Sequence, residues 1–252
     1  MQIVHCSPYR DAEGEPRNDK KRQAAKELGA NWLEQLKAED AVIEVFSNHL
    51  DDDYHLICNA DLLEDAPDAD MLLFGPNGVW VFEFIHITGS FRAEGEDWLT
   101  LNNKSAQYEP TDPSPLASAR DNANAIYDYL HSQNLPVPWV NPVLILTAED
   151  VAFHNDGAAV AAIRTDEAYQ FVTQEVRDLD TVMNEQDIER LYDALAPFLG
   201  DAVQAPSTEE EVGGKRTHFF GMTTVQWLVI LVLAFMDICV LGGFAFIVIS
   251  EG

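Results

Sequence analysis

Apolar residues recur along this chain with two different periods. Over residues 20–37, Ala24, Leu28, Trp32, Leu33 and Leu36 fall at helical spacing with charges between them, which predicts an amphipathic first helix. The pattern runs on through Val42, Val45 and Phe46 until Asp51-Asp52-Asp53 interrupts it. The period then changes to two. Residues 54–58 read as a strand, and residues 69–74 and 79–87 read as the arms of a hairpin closed by Gly75-Pro76-Asn77-Gly78, since Pro-Asn-Gly supplies the dihedrals a reversal needs. Two shorter strands, 89–93 and 97–101, meet at Glu94-Gly95-Glu96 and extend the hairpin into an antiparallel meander. Residues 102–115, rich in Asn, Asp and Pro, read as a loop, and 116–131 as a helix with Ala119, Ala123, Ile126, Tyr127 and Leu130 along one side. Residues 139–147 are almost continuously apolar, as in a strand covered on both faces. Residues 165–176 and 184–199 read as surface helices. The expectation is an α/β domain over 20–199, with a mixed central sheet flanked by helices, after a polar leader at 1–19.

Beyond residue 199 the composition changes twice. Residues 200–221 carry Pro, Ser, Thr and the run Glu209-Glu210-Glu211; such a segment cannot bury a core and reads as a flexible acidic linker. Residues 227–249 are apolar with a single charge, Asp237. At a rise of about 1.5 Å per residue they reach ~34 Å, enough for a hydrocarbon layer about 30 Å thick. A transmembrane helix is therefore expected at 223–249. Lys215 and Arg216 precede it and only Ser250, Glu251 and Gly252 follow, so the basic flank places the N-terminal domain in the cytoplasm. The N-terminus has no apolar run long enough for a signal peptide. This is the pattern of a single-pass, tail-anchored protein of the cell membrane. Asp237 at mid-span costs about 2.5–3.5 kcal/mol on insertion scales, and Gly242 and Gly243 offer a small-residue face for helix packing; a membrane partner or self-association would satisfy the acid, and a sufficiently apolar helix that tolerates it is the equal alternative. Cys6, Cys58 and Cys239 are too scattered for a disulfide framework or a zinc site.

Net charge limits the partners further. The formal charge is −28, and all 15 basic residues and all but two of the 43 acids precede residue 223. A field of that sign opposes the phosphate-driven attraction that supplies most non-specific nucleic-acid affinity. One acid stands out by position. In the strand at 79–87, Val79, Val81, Glu83, Ile85 and Ile87 share a face, while Trp80, Phe82, Phe84 and His86 share the other. A carboxylate among such neighbours costs several kcal/mol unless it is paired, protonated or metal-bound. Asp70, across the turn, is the nearest candidate for a second acid, and two converging carboxylates suit Mg²⁺. An edge position with bonds to backbone or water is the plainer reading of Glu83. No HExxH, GxSxG, Walker or dinucleotide glycine pattern is present, and the histidines fall into no metal-ligand spacing. His86, facing away from Glu83, reads as a satisfied core or edge histidine.

Ala69-Asp70, then Phe74-Gly-Pro-Asn-Gly-Val-Trp-Val-Phe-Glu83, followed by Gly89-Ser90-Phe91 and Trp98, resembles the nuclease-related domain (NERD) family. That resemblance implies a restriction-endonuclease-like fold of the PD-(D/E)xK type over roughly residues 22–175, with Asp70 and Glu83 as remnants of a catalytic, Mg²⁺-binding pair. Departures fall where the chemistry would be. The Lys of the family's Glu-x-Lys is Ile85 here; its Asn-Pro-x-x-Gln element appears as Ser114-Pro115-Leu116-Ala117-Ser118; its Gly-Glu-x-Gly-Glu on the first helix is matched only by Lys26-Glu27-Leu28-Gly29-Ala30, which keeps Glu27 and loses the second acid. Loss of one preorganised electrostatic partner typically slows such chemistry ~10²–10³-fold. Arg92, Lys104 and Arg120 are the residues that could supply a displaced cation. Three readings follow: a membrane-anchored binding or scaffold module with little or no catalysis; a divalent-metal nuclease using Asp70 and Glu83, with Glu27 as a third acid; and an unrelated membrane-tethered adaptor.

Overall fold

The hairpin closed by Pro76 and Asn77 is the centre of the fold. The computed structural model describes residues 1–199 apart from 12–13, 28, 30 and 61–68. In chain order these form β1 (Gln2–His5), α1 (Lys21–Glu27), α2 (Trp32–His49), β2 (His55–Ala60), β3 (Ala69–Gly75), β4 (Gly78–Ile85), β5 (Gly89–Gly95), β6 (Asp97–Asn102), β7 (Gln107–Pro110), α3 (Pro115–Ser132), β8 (Val140–Leu146), β9 (Val151–Ala158), β10 (Ala161–Arg164), α4 (Ala168–Phe171) and α5 (Glu185–Leu195). Two sheets result, with strand orders β1-β2-β3-β4-β8-β10 and β7-β6-β5-β9.

The larger sheet is mixed, as expected. β2, β3 and β4 pair antiparallel, while β1 on β2, β8 on β4 and β10 on β8 are parallel. Alternation along β3 and β4 divides their side chains between two cores. Leu72, Phe74, Val79 and Val81 face Ala123, Ile126 and Leu130 of α3 and Ile188, Leu191 and Leu195 of α5. Met71, Leu73, Trp80 and Phe82 face Val42 and Phe46 of α2 together with Phe171 and Val172. With helices on both faces, β3, β4 and β8 need apolar residues at nearly every position, which is why residues 139–147 show no alternation. The turn is pinned by its own polar group: the Asn77 side chain accepts from the Tyr54 hydroxyl and donates to the Leu179 carbonyl, and burial pushes the Tyr54 phenol up to about 12.

Several expectations meet corrections. The first helix is two helices, because Gly29 takes φ +91°, a conformation that side-chain-bearing residues avoid, and the chain restarts a helix at Trp32. The leader supplies β1, and its Arg10 is buried. The loop expected at 102–115 contains β7, and β9 and β10 follow β8, so the meander at 89–101 becomes the middle of a separate four-stranded sheet. That sheet packs Phe91, Ala93 and Trp98 on Leu116, Ala119, Leu144 and Leu146. Residues 165–177 are helical throughout but change from 3-10 to α to π turns. Cys6 and Cys58 are free thiols on opposite faces of the sheet, one against each core. The linker at 200–221 and the span at 223–249 lie outside the described residues; among the described residues no helix is long and apolar enough to cross a membrane.

Two half-buried histidines tie stability to pH. His55 stacks on Phe74 with ring centroids 5.0 Å apart and planes 5° from parallel, and burial lowers its pKa from 6.5, as it does for His5. A lowered folded-state value means that the unfolded chain binds protons first. Stability is therefore whole above about 6.5 and falls as pH drops from there toward the lowered folded values. Urea denaturation of the full chain across this range should show that loss, and His55→Gln should flatten part of it; a slope identical in the variant would contradict the assignment.

Candidate functional site

β3 and β4 bring the two predicted acids together. The ladder pairs Met71 with Phe82, and one further step sets Asp70 opposite Glu83, with both side chains on the α3 face. Each carboxylate is held by the fold. Asp70 Oδ2 accepts the Phe84 backbone N–H at 2.7 Å, taking over from the carbonyls of β3 beyond the Met71–Phe82 pair. Glu83 accepts from Asn122 Nδ2 on α3. Both acids are partly exposed, whereas Asn122 is 2% exposed and its Oδ1 is buried without a hydrogen-bond partner. Asn122 was not anticipated from sequence, although a signal existed: it occupies the same helical stripe as Ala119, Ala123 and Ile126, and a polar residue on an apolar face needs a partner.

Ile85, one alternation beyond Glu83, packs against the cluster under the four-stranded sheet. The basic residues considered as replacements are placed elsewhere. Arg92 pairs with Asp156 at 3.2 Å and lies 4.9 Å from the Tyr108 ring centroid; Arg120 pairs with Glu96 at 2.5 Å; Lys104 is exposed in the turn between β6 and β7.

Asp70 also lines a cleft of about 370 Å³ with Glu27, Glu39, Tyr9, Gln35 and Asn59. Glu27 is exposed and accepts the Tyr9 hydroxyl; that hydrogen bond lowers the carboxyl and raises the phenol. Glu39, one face of α2 further in, is the acid that sequence reasoning missed. Its side chain is 2% exposed and meets Arg10 Nη2 at 3.2 Å, while Arg10 Nη1 reaches Asp40 at 2.7 Å and the Gly14 carbonyl at 2.6 Å. Burial raises the Glu39 carboxyl against the pull of Arg10. Nothing in the leader's polar composition distinguishes Arg10 as an interior residue; only the packing of the segment over α2 does. Among the described residues, no group of three or more His, Cys, Asp or Glu side chains stands close enough to hold a metal ion.

The site is thus an Asp on β3 and a Glu on β4, across a Gly-closed turn, backed by an α3 amide. Residues 34–147 match the family model of the nuclease-related domain. The match begins within α2, so Asp70, Glu83, Asn122 and Glu39 fall inside it while Glu27 and Arg10 precede it. No curated protein and no solved structure matches the chain. Arg10 therefore reaches into the matched region from outside it. Breaking a buried pair from one side typically costs ~3–5 kcal/mol because the other charge stays behind. Arg10→Met should lose about that much in urea denaturation, and Arg10→Met/Glu39→Leu should regain most of it; an Arg10→Met protein as stable as the wild type would show that the pair contributes nothing.

Proposed function

We propose that this chain holds a restriction-endonuclease-like, nuclease-related domain at the cytoplasmic face of the cell membrane, anchored by a helix at 223–249, and that the domain binds a partner without cleaving nucleic acid at appreciable rates. One observation carries the reading: Ile85, an apolar residue in apolar surroundings, stands where the domain's pattern places the lysine that steadies the attacking water or the developing phosphate charge. Without that cation a carboxylate pair has no preorganised group to offset charge in the transition state. The strongly negative chain lowers nucleic-acid affinity as well. A partner helix or a second copy, meeting Asp237 and the Gly242/Gly243 face, completes the membrane end of the reading.

The nuclease alternative is supported by the facing positions of Asp70 and Glu83, and it makes the opposite prediction. The full chain in detergent micelles, titrated with Mg²⁺ and Mn²⁺ by calorimetry beside Asp70→Asn/Glu83→Gln, should give indistinguishable isotherms, and incubation with single- and double-stranded DNA and RNA should give no cleavage above the double variant. Saturable binding lost in the variant, together with metal-dependent cleavage that Glu83→Ala removes, would establish the nuclease instead.

A further inference from the structure

A second constellation lies on the opposite face of β4. Alternation turns His86 away from Glu83 and toward α2. The β4–β8 ladder ends at Ile85 and Leu146, and the next step places His86 beside Thr147. There His86 Nδ1 lies 3.0 Å from Thr147 Oγ1, and His86 Nε2 lies 3.4 Å from Glu34 Oε2 on α2. These three side chains line one cleft of about 500 Å³ together with Lys37, Glu149 and Asp150. The cleft opens beyond the carboxyl ends of the parallel strands β4 and β8, the place where open α/β sheets leave a crevice.

Thr147 Oγ1 donates to the Ile85 carbonyl at 3.2 Å, beside the Thr147 backbone N–H at 3.0 Å, and lies 3.0 Å from His86 Nδ1. A turn of the hydroxyl about its Cβ–Oγ1 bond brings its proton to Nδ1, and Nε2–H then donates to the Glu34 carboxylate. Hydroxyl, imidazole and carboxylate in that order form a nucleophile, a base and a group that orients the base. The His86 side chain is 19% exposed and that of Glu34 63%, so the base is reachable from the cleft. Lys37, one turn along α2 from Glu34, pairs with no carboxylate among the described residues and is exposed at the cleft, where it suits the anionic end of a substrate.

We propose that Thr147, His86 and Glu34 form an acyl-transfer centre for small esters bearing an anionic group. Thr147 Oγ1 attacks the acyl carbon while His86 Nδ1 takes its proton, and Glu34 holds the imidazolium through Nε2–H. As the ester C–O bond breaks, the imidazolium returns that proton to the departing oxygen and an alcohol leaves. Water, deprotonated by the same imidazole, then attacks the acyl-threonine, releasing the carboxylic acid and restoring Thr147. The centre uses neither Asp70 nor Glu83, so it stands apart from the reading above.

The test uses the full chain in micelles with para-nitrophenyl acetate, the para-nitrophenyl monoester of succinate, and a fluorophosphonate probe. Wild type should hydrolyse both esters, and peptide mass spectrometry should find the probe on Thr147. His86→Asn should slow turnover about 100-fold, at the lower end for a positioned base; Thr147→Ser should retain turnover. As a positioning residue, Glu34 should act on kcat, so that Glu34→Gln lowers kcat and leaves KM unchanged, whereas Lys37→Gln should raise KM for the succinate ester alone. Turnover in wild type no faster than in His86→Asn, or a probe located on another residue, would overturn the proposal whether or not any variant misfolds.

Discussion

β4 is covered on both faces and paired on both edges, and that constraint governs the molecule. An ionised carboxylate in such a strand loses its water, and the loss exceeds what one distant counter-charge returns. The fold meets this cost locally. Asn122 reaches from α3 to Glu83, and Asp70 takes over as acceptor for the Phe84 N–H at the end of the β3–β4 ladder. Both interactions involve ionisable groups and belong to the stronger class of hydrogen bond. They also explain how an acidic pair persists beside Ile85: each acid has work in the fold that does not depend on catalysis.

The same logic operates at the N-terminal segment with the signs reversed. Arg10 is a cation buried by the chain that precedes the matched region, and its two Nη atoms donate to Glu39, Asp40 and the carbonyls of Gly14 and Leu36. In a chain where acids outnumber bases by nearly three to one, several arginines pair locally. Arg92, Arg120 and Arg164 each sit against a nearby acid, and exposed pairs of that kind contribute about 0–1 kcal/mol each. Among the described residues the stabilising charge interaction is concentrated in the buried guanidinium of Arg10, which couples β1 and its following loop to α2 and so to the wall of the Asp70 cleft.

What the sequence made legible follows from how local each signal is. The β3–β4 hairpin, α3 and β8 were readable because turn chemistry and apolar period act over a few residues. The acids were legible for the same reason, since Glu83 breaks an apolar alternation that can be seen without any partner. β7, β9 and β10 were not. They are short or polar strands, such as Val151–Ala158 with His154, Asn155 and Asp156 exposed, and they exist because neighbouring strands offer them hydrogen bonds. Arg10, Glu39 and the Asn122–Glu83 bond were hidden because burial of a polar residue is decided by what packs over it. The break at Gly29 was a local signal and was overlooked, since a single glycine within a helical period can equally be tolerated inside the helix.

Two chemically different faces on one strand follow from the period of two. Glu83 belongs to the α3 side and His86 to the α2 side, three residues apart, and each acquires its partners from a different helix: Asn122 from α3, Glu34 from α2. Change on one side therefore need not propagate to the other. Ile85 belongs with Glu83 by alternation, whereas the crevice at the ends of β4 and β8 is a product of the parallel pairing itself. The cleft depends on strand direction and helix placement, which the two cores enforce, and not on which side chains line the α3 face.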